Sequence, residues 1–249
     1  MVCRQSLLGL SLASLLIACG STAPSNTATS TSPKVDDSAN AESPQPTSEP
    51  EVTDRGESQP KNAQSAIDTR VVPGERVGEV TSDTNRADLA AQFGESALTD
   101  TEIPVGEGFT EFGTRVNDDL PTAFAVIWVD ASQSAPATAQ AFGPAWQTVE
   151  GIGVGTTFAE LQQILGAFSL YGFGWDYGGT IVLEGSNLSE YYGSLILRLQ
   201  PADPSTRQTE AAAFEAVQGD RLIASSDPNL LALDLVVSEM IVYLDPPDE

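Results

Sequence analysis

Apolar and polar positions divide the chain into three stretches. Residues 7–18 are almost entirely Leu, Ala, Ser, Gly and Ile, and Arg4 is the only charge before them. That run is too short to span a bilayer as a helix, which takes about 20 apolar residues, and has the make-up of a secretory signal. From Gly20 to about Asp68 the chain is Ser, Thr, Pro, Ala, Asn and acids, with no aromatic. Such a segment buries too little apolar surface to offset chain entropy and is expected to be a disordered tether. As a flexible coil its 49 residues have a root-mean-square span of roughly 35–42 Å. From about Thr69 onward aliphatics and aromatics appear, with Gly at regular places, enough chain for one sizeable core or two small ones.

Within this last stretch one pattern occurs twice, 72 residues apart. Val77–Gly94 reads VGEVTSDTNRADLAAQFG and Val149–Gly166 reads VEGIGVGTTFAELQQILG. Each predicts a short helix. Asn85 with Asp88, and Thr157 with Glu160, have the spacing of an N-cap with a carboxylate three residues on; the second is a full capping box and the first its acidic analogue. Leu89 and Phe93 fall one turn apart, as do Leu161 and Leu165, and Gly94 and Gly166 follow as stops able to take a left-handed conformation. Strand-like sequence comes after each. After the first window these are Glu102–Glu107, Phe109–Val116 and Ala123–Val129, the last apolar on both faces and so doubly covered. An Ala-, Ser- and Pro-rich loop then leads to a short strand, Trp146–Ile152. After the second window the strands are Tyr171–Tyr177, Thr180–Glu184 and Leu195–Gln200. A helix at about Thr206–Gln218 and a closing strand Val236–Leu244 complete the chain. The fold expected is α+β, made of two related units, 69–148 and 149–249. Each is a short helix followed by an antiparallel meander, with helices packed on sheet; the second carries the extra helix and strand.

Composition removes whole mechanism classes. The chain has no His, and its two Lys, Lys34 and Lys61, precede the folded part. No Ser-His-Asp triad, imidazole zinc site, Ser-Lys dyad, Schiff base or P-loop lysine is available. The two Cys are Cys3, within the signal, and Cys19, at its end. A net charge of −24 repels nucleic acid and anionic headgroups alike.

Two kinds of site chemistry remain. Tyr171, Phe173, Trp175 and Tyr177 alternate with Gly172, Gly174 and Asp176, and in a strand they share one face. Seven of the chain's seventeen aromatics fall between Phe168 and Tyr192, which makes this the strongest local feature. It is either an aromatic platform for a glycan or partner protein, or the core side of the sheet, with glycines opposite where another element packs closely. Asp118, Asp119, Asp176, Glu184 and Glu190 are the carboxylates for a glycosidase-type pair, but no spacing fixes a geometry. Asp83-Thr84-Asn85 and Asp118-Asp119 carry oxygen ligands without matching a calcium-binding loop. No catalytic residue, metal or cofactor is expected.

The ending Leu16-Ile17-Ala18-Cys19 resembles the lipobox of bacterial lipoproteins. That resemblance implies cleavage before Cys19, a diacylglycerol on its thiol, and a mature chain with no free thiol. Segment 1–18 is then the signal and 19–68 the lipidated tether, on the periplasmic face of the inner or outer membrane or at the cell surface. The skeleton Gly155-Thr156-Thr157, Leu161, Gly166 is similar to small secreted and lipid-anchored bacterial domains. These include the small lipoprotein of the outer-membrane β-barrel assembly machine and the tandem-repeat β-lactamase inhibitor proteins. The first window departs from it, with Asp83 in place of the Gly and Thr84 kept. The resemblance implies a non-enzymatic, protein-binding domain. The function expected is a lipid-anchored binding or scaffold module with an envelope protein or glycan as partner and no nucleic acid; the alternative is a glycan-binding or carboxylate-based glycan-acting protein using Tyr171–Tyr177.

Overall fold

The computed structural model of the chain describes residues 67–244. The signal 1–18, Cys19 and the tether as far as residue 66 lie outside the described residues. The described part begins with three short strands, β1 (Arg70–Val72), β2 (Arg76–Val77) and β3 (Val80–Thr81), and helix α1 (Arg86–Phe93). A meander of β4 (Leu98–Gly106), β5 (Phe109–Val116), β6 (Phe124–Trp128) and β7 (Pro136–Gln140) follows. Strand β8 (Gln147–Thr148) leads to α2 (Phe158–Leu165), β9 (Ser169–Tyr171), β10 (Ile181–Val182) and β11 (Leu195–Pro201). Last come the single-turn α3 (Thr206–Thr209), α4 (Ala211–Ala216), β12 (Leu222–Ala224), α5 (Pro228–Leu231) and β13 (Leu235–Tyr243). The class is α+β. No helix among the described residues is long and apolar enough to cross a membrane.

Six strands form one antiparallel sheet in the order β11-β13-β7-β6-β5-β4. Alternation decides its inner face. Leu195, Leu197 and Leu199 of β11 point inward, as do Leu235, Val237, Met240 and Val242 of β13. The two inward pairs of β13 differ in phase. The register steps from Arg198↔Glu239 to Leu199↔Val237, leaving Ser238 as an extra residue, and this bulge keeps both pairs on the core side. One contiguous core runs from Val71 to Leu244, taking in residues on both sides of the 148/149 boundary.

The two helices start alike. Asn85 Oδ1 accepts from the Ala87 and Asp88 amides while Asp88 accepts from the Asn85 amide at 3.0 Å. Thr157 and Glu160 make the same reciprocal pair, the Thr157 amide reaching Glu160 at 2.8 Å. Before each helix a threonine hydroxyl takes an amide three residues back: Thr81 N–H to Thr84 Oγ1, and Gly153 N–H to Thr156 Oγ1, both 2.9 Å. Gly94 and Gly166 close them at φ 86° and 71°. Packing differs. Helix α2 buries Phe158, Leu161 and Leu165, whereas α1 buries Leu89 alone. Polar bonds hold α1 as well: Arg86 meets Asp100 at 3.0 Å and Glu95 at 2.9 Å. Asp100 in turn accepts from Thr114 Oγ1 at 2.6 Å, and Thr114 from Trp128 Nε1 at 2.9 Å.

Strand β6 is buried throughout, as its two-faced apolar pattern predicts. Phe124, Val126 and Trp128 face the main core. Ala125 and Ile127 face the other way and are covered by Ile103 of β4. That contact needs a sharp approach of β4 over β5, and Gly113 provides it. A Cβ there would overlap both the Ile103 side chain and the Val126 carbonyl. Beyond Gly113, where pairing with β6 stops, β4 and β5 continue as a two-stranded arm.

Several boundaries differ from expectation. Pro136–Gln140 is a strand rather than loop, paired on both sides by β6 and β13. The expected strand Trp146–Ile152 shrinks to Gln147–Thr148. The expected helix Thr206–Gln218 breaks at Glu210, whose φ/ψ of −110°/39° leaves the helical region, and α4 stacks Phe214 on Phe173.

Candidate functional site

The stretch Tyr171–Tyr177 is not a strand with four aromatics on one face. Strand β9 ends at Tyr171, and the chain then turns. The cause is the segment after α4. Phe173 N–H donates to the Val217 carbonyl and Phe173 C=O accepts from Gly219, both at 2.9 Å. Gly172 lies so close to that backbone that a Cβ would stand 2.8 Å from the Val217 carbonyl. This backbone pairing draws Phe173 inside, where it is 2% exposed and stacks on Phe214 at 5.5 Å. Phe173 therefore leaves the candidate surface and belongs to the core.

The other three form an edge-to-face ladder. Tyr171 and Trp175 lie 5.6 Å apart at 83°, and Trp175 and Tyr177 5.2 Å apart at 65°. Trp175 Nε1 donates to the Gly172 carbonyl at 2.7 Å, which fixes the indole. Tyr171 and Trp175 are half-buried and Tyr177 is 45% exposed.

Tyr177 ties this ladder to the arm. Its hydroxyl donates to Glu107 at 2.7 Å, at the turn joining β4 and β5. The bond to the Glu107 carboxylate, and its charge, raise the Tyr177 phenol above its ordinary pKa, so it stays protonated and donating. The Arg198 guanidinium stands 5.9 Å from the Tyr177 ring centroid. It also bonds its cross-strand partner Glu239 at 2.8 Å and Thr180 Oγ1 at 3.3 Å. Between arm and ladder lies a cleft of about 130 Å³ lined by Val105, Glu107, Phe109, Asp176, Tyr177 and Arg198. Whole-ligand pockets run to about 300–1,000 Å³, so this cleft matches a single side chain. Above it Phe109 is 66% exposed.

The expected carboxylates are scattered. Asp118 and Asp119 sit on the exposed turn after β5, where Asp118 meets Arg115 at 3.8 Å. Glu184 follows β10, and Glu190 lies in a 3₁₀ turn, Ser189–Tyr191. Of the five only Asp176 lines the cleft. Thr84 and Asn85 are used by the turn and cap before α1, and no group of three or more acids is placed to hold a metal among the described residues. A separate pair joins Tyr191 Oη to Glu150 Oε1 at 3.0 Å; burial, then that carboxylate, pushes the Tyr191 phenol up to about 12. The sequence reading missed Glu107, Phe109 and Arg198. Gly106-Glu107-Gly108 marks a hairpin turn, the one local signal that an arm ends there.

No known protein family matches the chain, and no curated protein does. Among solved structures it is similar to the uncharacterized protein yfeY from Escherichia coli, with 14% identity, a TM-score of 0.40, and coverage of 69% of this chain and 98% of that one.

Proposed function

We propose that this chain is a lipid-anchored lipoprotein of the bacterial cell envelope acting as a non-catalytic binding or scaffold module. Acyl chains on Cys19 hold it to a membrane, each buried methylene contributing about 0.8 kcal/mol, and the tether gives the folded part reach. The observation that carries the binding reading is the surface where the ladder Tyr171–Trp175–Tyr177 meets Val105 and Phe109 of the arm. Solvent-facing Tyr, Trp and Phe grouped together have the composition of protein-interface hot spots. The ladder's rings stand at 83° and 65° to one another, presenting edges rather than the flat shelf a sugar stacks on. A polypeptide partner suits that shape.

The windows 77–94 and 149–166 are tandem copies in this reading. Their support is the recurrence, 72 residues apart, of the threonine lock, the capping box and the positive-φ glycine. The test is in-cell photo-cross-linking from position 175, with membrane fractionation of Cys19→Ala alongside. Expected are a discrete protein adduct and a Cys19→Ala chain that remains uncleaved or loses acylation. Release of product from envelope glycans, or membrane retention of the Cys19→Ala chain in acylated form, overturns the reading.

A further inference from the structure

The two edges of the six-stranded sheet are finished differently. At β11 the edge is met by the turn after the ladder: Leu199 N–H donates to the Gly179 carbonyl at 2.9 Å, and Thr180 bridges Arg198. At β4 the one such contact is from a side chain, Gln140 Nε2 donating to the Pro104 carbonyl at 2.9 Å. Nine residues, Leu98–Gly106, pair with β5 on one side, and among the described residues no backbone pairs with the other. Beyond Gly113 the arm formed by β4 and β5 is no longer paired with β6; Ile103 seats it on Ala125 and Ile127, the Gln140 bond to Pro104 holds it, and Tyr177 bonds Glu107 at its tip. The arm nonetheless carries three of the exposed large apolar side chains: Val105, Phe109 and Phe112. Glu102, Glu107 and Glu111 stand among them, and none of these three has an ion-pair partner among the described residues.

From this we infer that β4 is an acceptor edge for an extended segment of a basic protein partner, which adds as a seventh strand and seats apolar side chains on the arm. This names the partner class for the binding module proposed above and rests on that reading. Main-chain hydrogen bonds supply affinity in strand addition, and alternate side chains supply specificity. The charges select against other occupants. A second copy of this chain brings the same carboxylates, and an anionic lipid surface is repelled by them. Glu102 pairs with Phe112 on one face of the arm, and Ile103 pairs with Glu111, beside Phe109, on the other. A strand with Lys or Arg on one face and aliphatics on the other therefore meets Glu102 with the first and the Phe109 side of the arm with the second. Pro104, which has no amide hydrogen, leaves the stretch before it as the pairing segment.

The test uses the full chain and a short peptide alternating Lys and Val, with a Glu/Val peptide, phosphatidylglycerol vesicles and the chain alone as comparison arms. Titration is combined with amide hydrogen exchange. The Lys/Val peptide is expected to bind, to slow exchange of β4 amides in 99–103, and to weaken as salt rises. Phe109→Ser and Glu102→Lys, both at exposed positions, are each expected to weaken it about tenfold. Equal binding of the Glu/Val peptide, protection of β4 by vesicles or self-association, or unchanged β4 exchange overturns the inference. Peptide protection confined to Tyr171–Tyr177 overturns strand addition while sparing the binding module. An arm and a ladder both silent, with no cross-linked partner, removes both.

Discussion

The helices α1 and α2 begin with the same turn, the same reciprocal cap and the same kind of glycine stop, yet are secured by different physics. Helix α2 is held by three buried apolar side chains, Phe158, Leu161 and Leu165. Helix α1 puts less into the core, Leu89 fully buried and Phe93 edge-on to Phe124 at 5.5 Å, and is moored besides by Arg86 to Asp100 and Glu95, and through Asp100 to Thr114 and Trp128. The lesson is that capping fixes where a helix starts, while what it rests on is decided separately. Two windows with one skeleton can thus dock one helix through its apolar face and the other through a smaller apolar contact reinforced by a polar clamp beside the strand pair that forms the arm.

Leu161→Ala tests the core side and is expected to have the largest effect, about 2–5 kcal/mol of global stability by urea denaturation. Leu89→Ala should instead loosen α1 first, speeding amide exchange in 86–93 while β6 stays protected. Identical exchange patterns in the two variants would break the contrast. Thr114→Val tests the clamp. It removes the acceptor of the buried Trp128 N–H and a donor to Asp100, and is expected to cost about 1–3 kcal/mol.

Next in size are the caps. Asn85→Ala and Thr157→Ala are expected to cost about 1 kcal/mol each, and equal values would confirm that the starts are equivalent although the docking is not. The smallest effect is with pH. Burial works to raise the Asp100 pKa, but the bonds from Thr114 and Arg86 outweigh it and hold the carboxyl below its ordinary value. Such a group stabilises fully above its unfolded pKa of about 3.9, and the contribution is lost as pH falls through the lower native value. Acidification below about pH 4 should therefore release α1, read as faster amide exchange, and Asp100→Asn should remove that step. Glu160 is likewise held low, by the Thr157 hydroxyl and amide, so the start of α2 frays in the same range while its buried face stays docked.

What could be read from the sequence was what is local. Strand β5 falls on Phe109–Val116 as expected, and both caps and both glycine stops stand where the spacing put them. Strand β7 was not legible, because Pro136–Gln140 lacks the large β-branched apolar residues that signal a strand. It is one because β6 and β13 flank it and Ala139 fits between them. At the candidate site the aromatics could be found but not sorted. Phe173 is drawn inward by backbone 44 to 46 residues later, and Tyr177 faces solvent with its hydroxyl on Glu107, 70 residues earlier. No period in a single sequence carries contacts of that range.

Gly113 gives the arm a mechanical character. With no side chain at the crossing, Ile103 rests directly on Ala125 and Ile127, and the arm bears on the one strand buried along both faces. A pull along the arm then passes into the middle of the sheet through that side-chain seat as well as through the β4–β5 hydrogen bonds, which share it at once. A side chain at position 113 lifts the arm from its seat. The same load would then open the ladder one bond at a time, as a zipper gives way from its end.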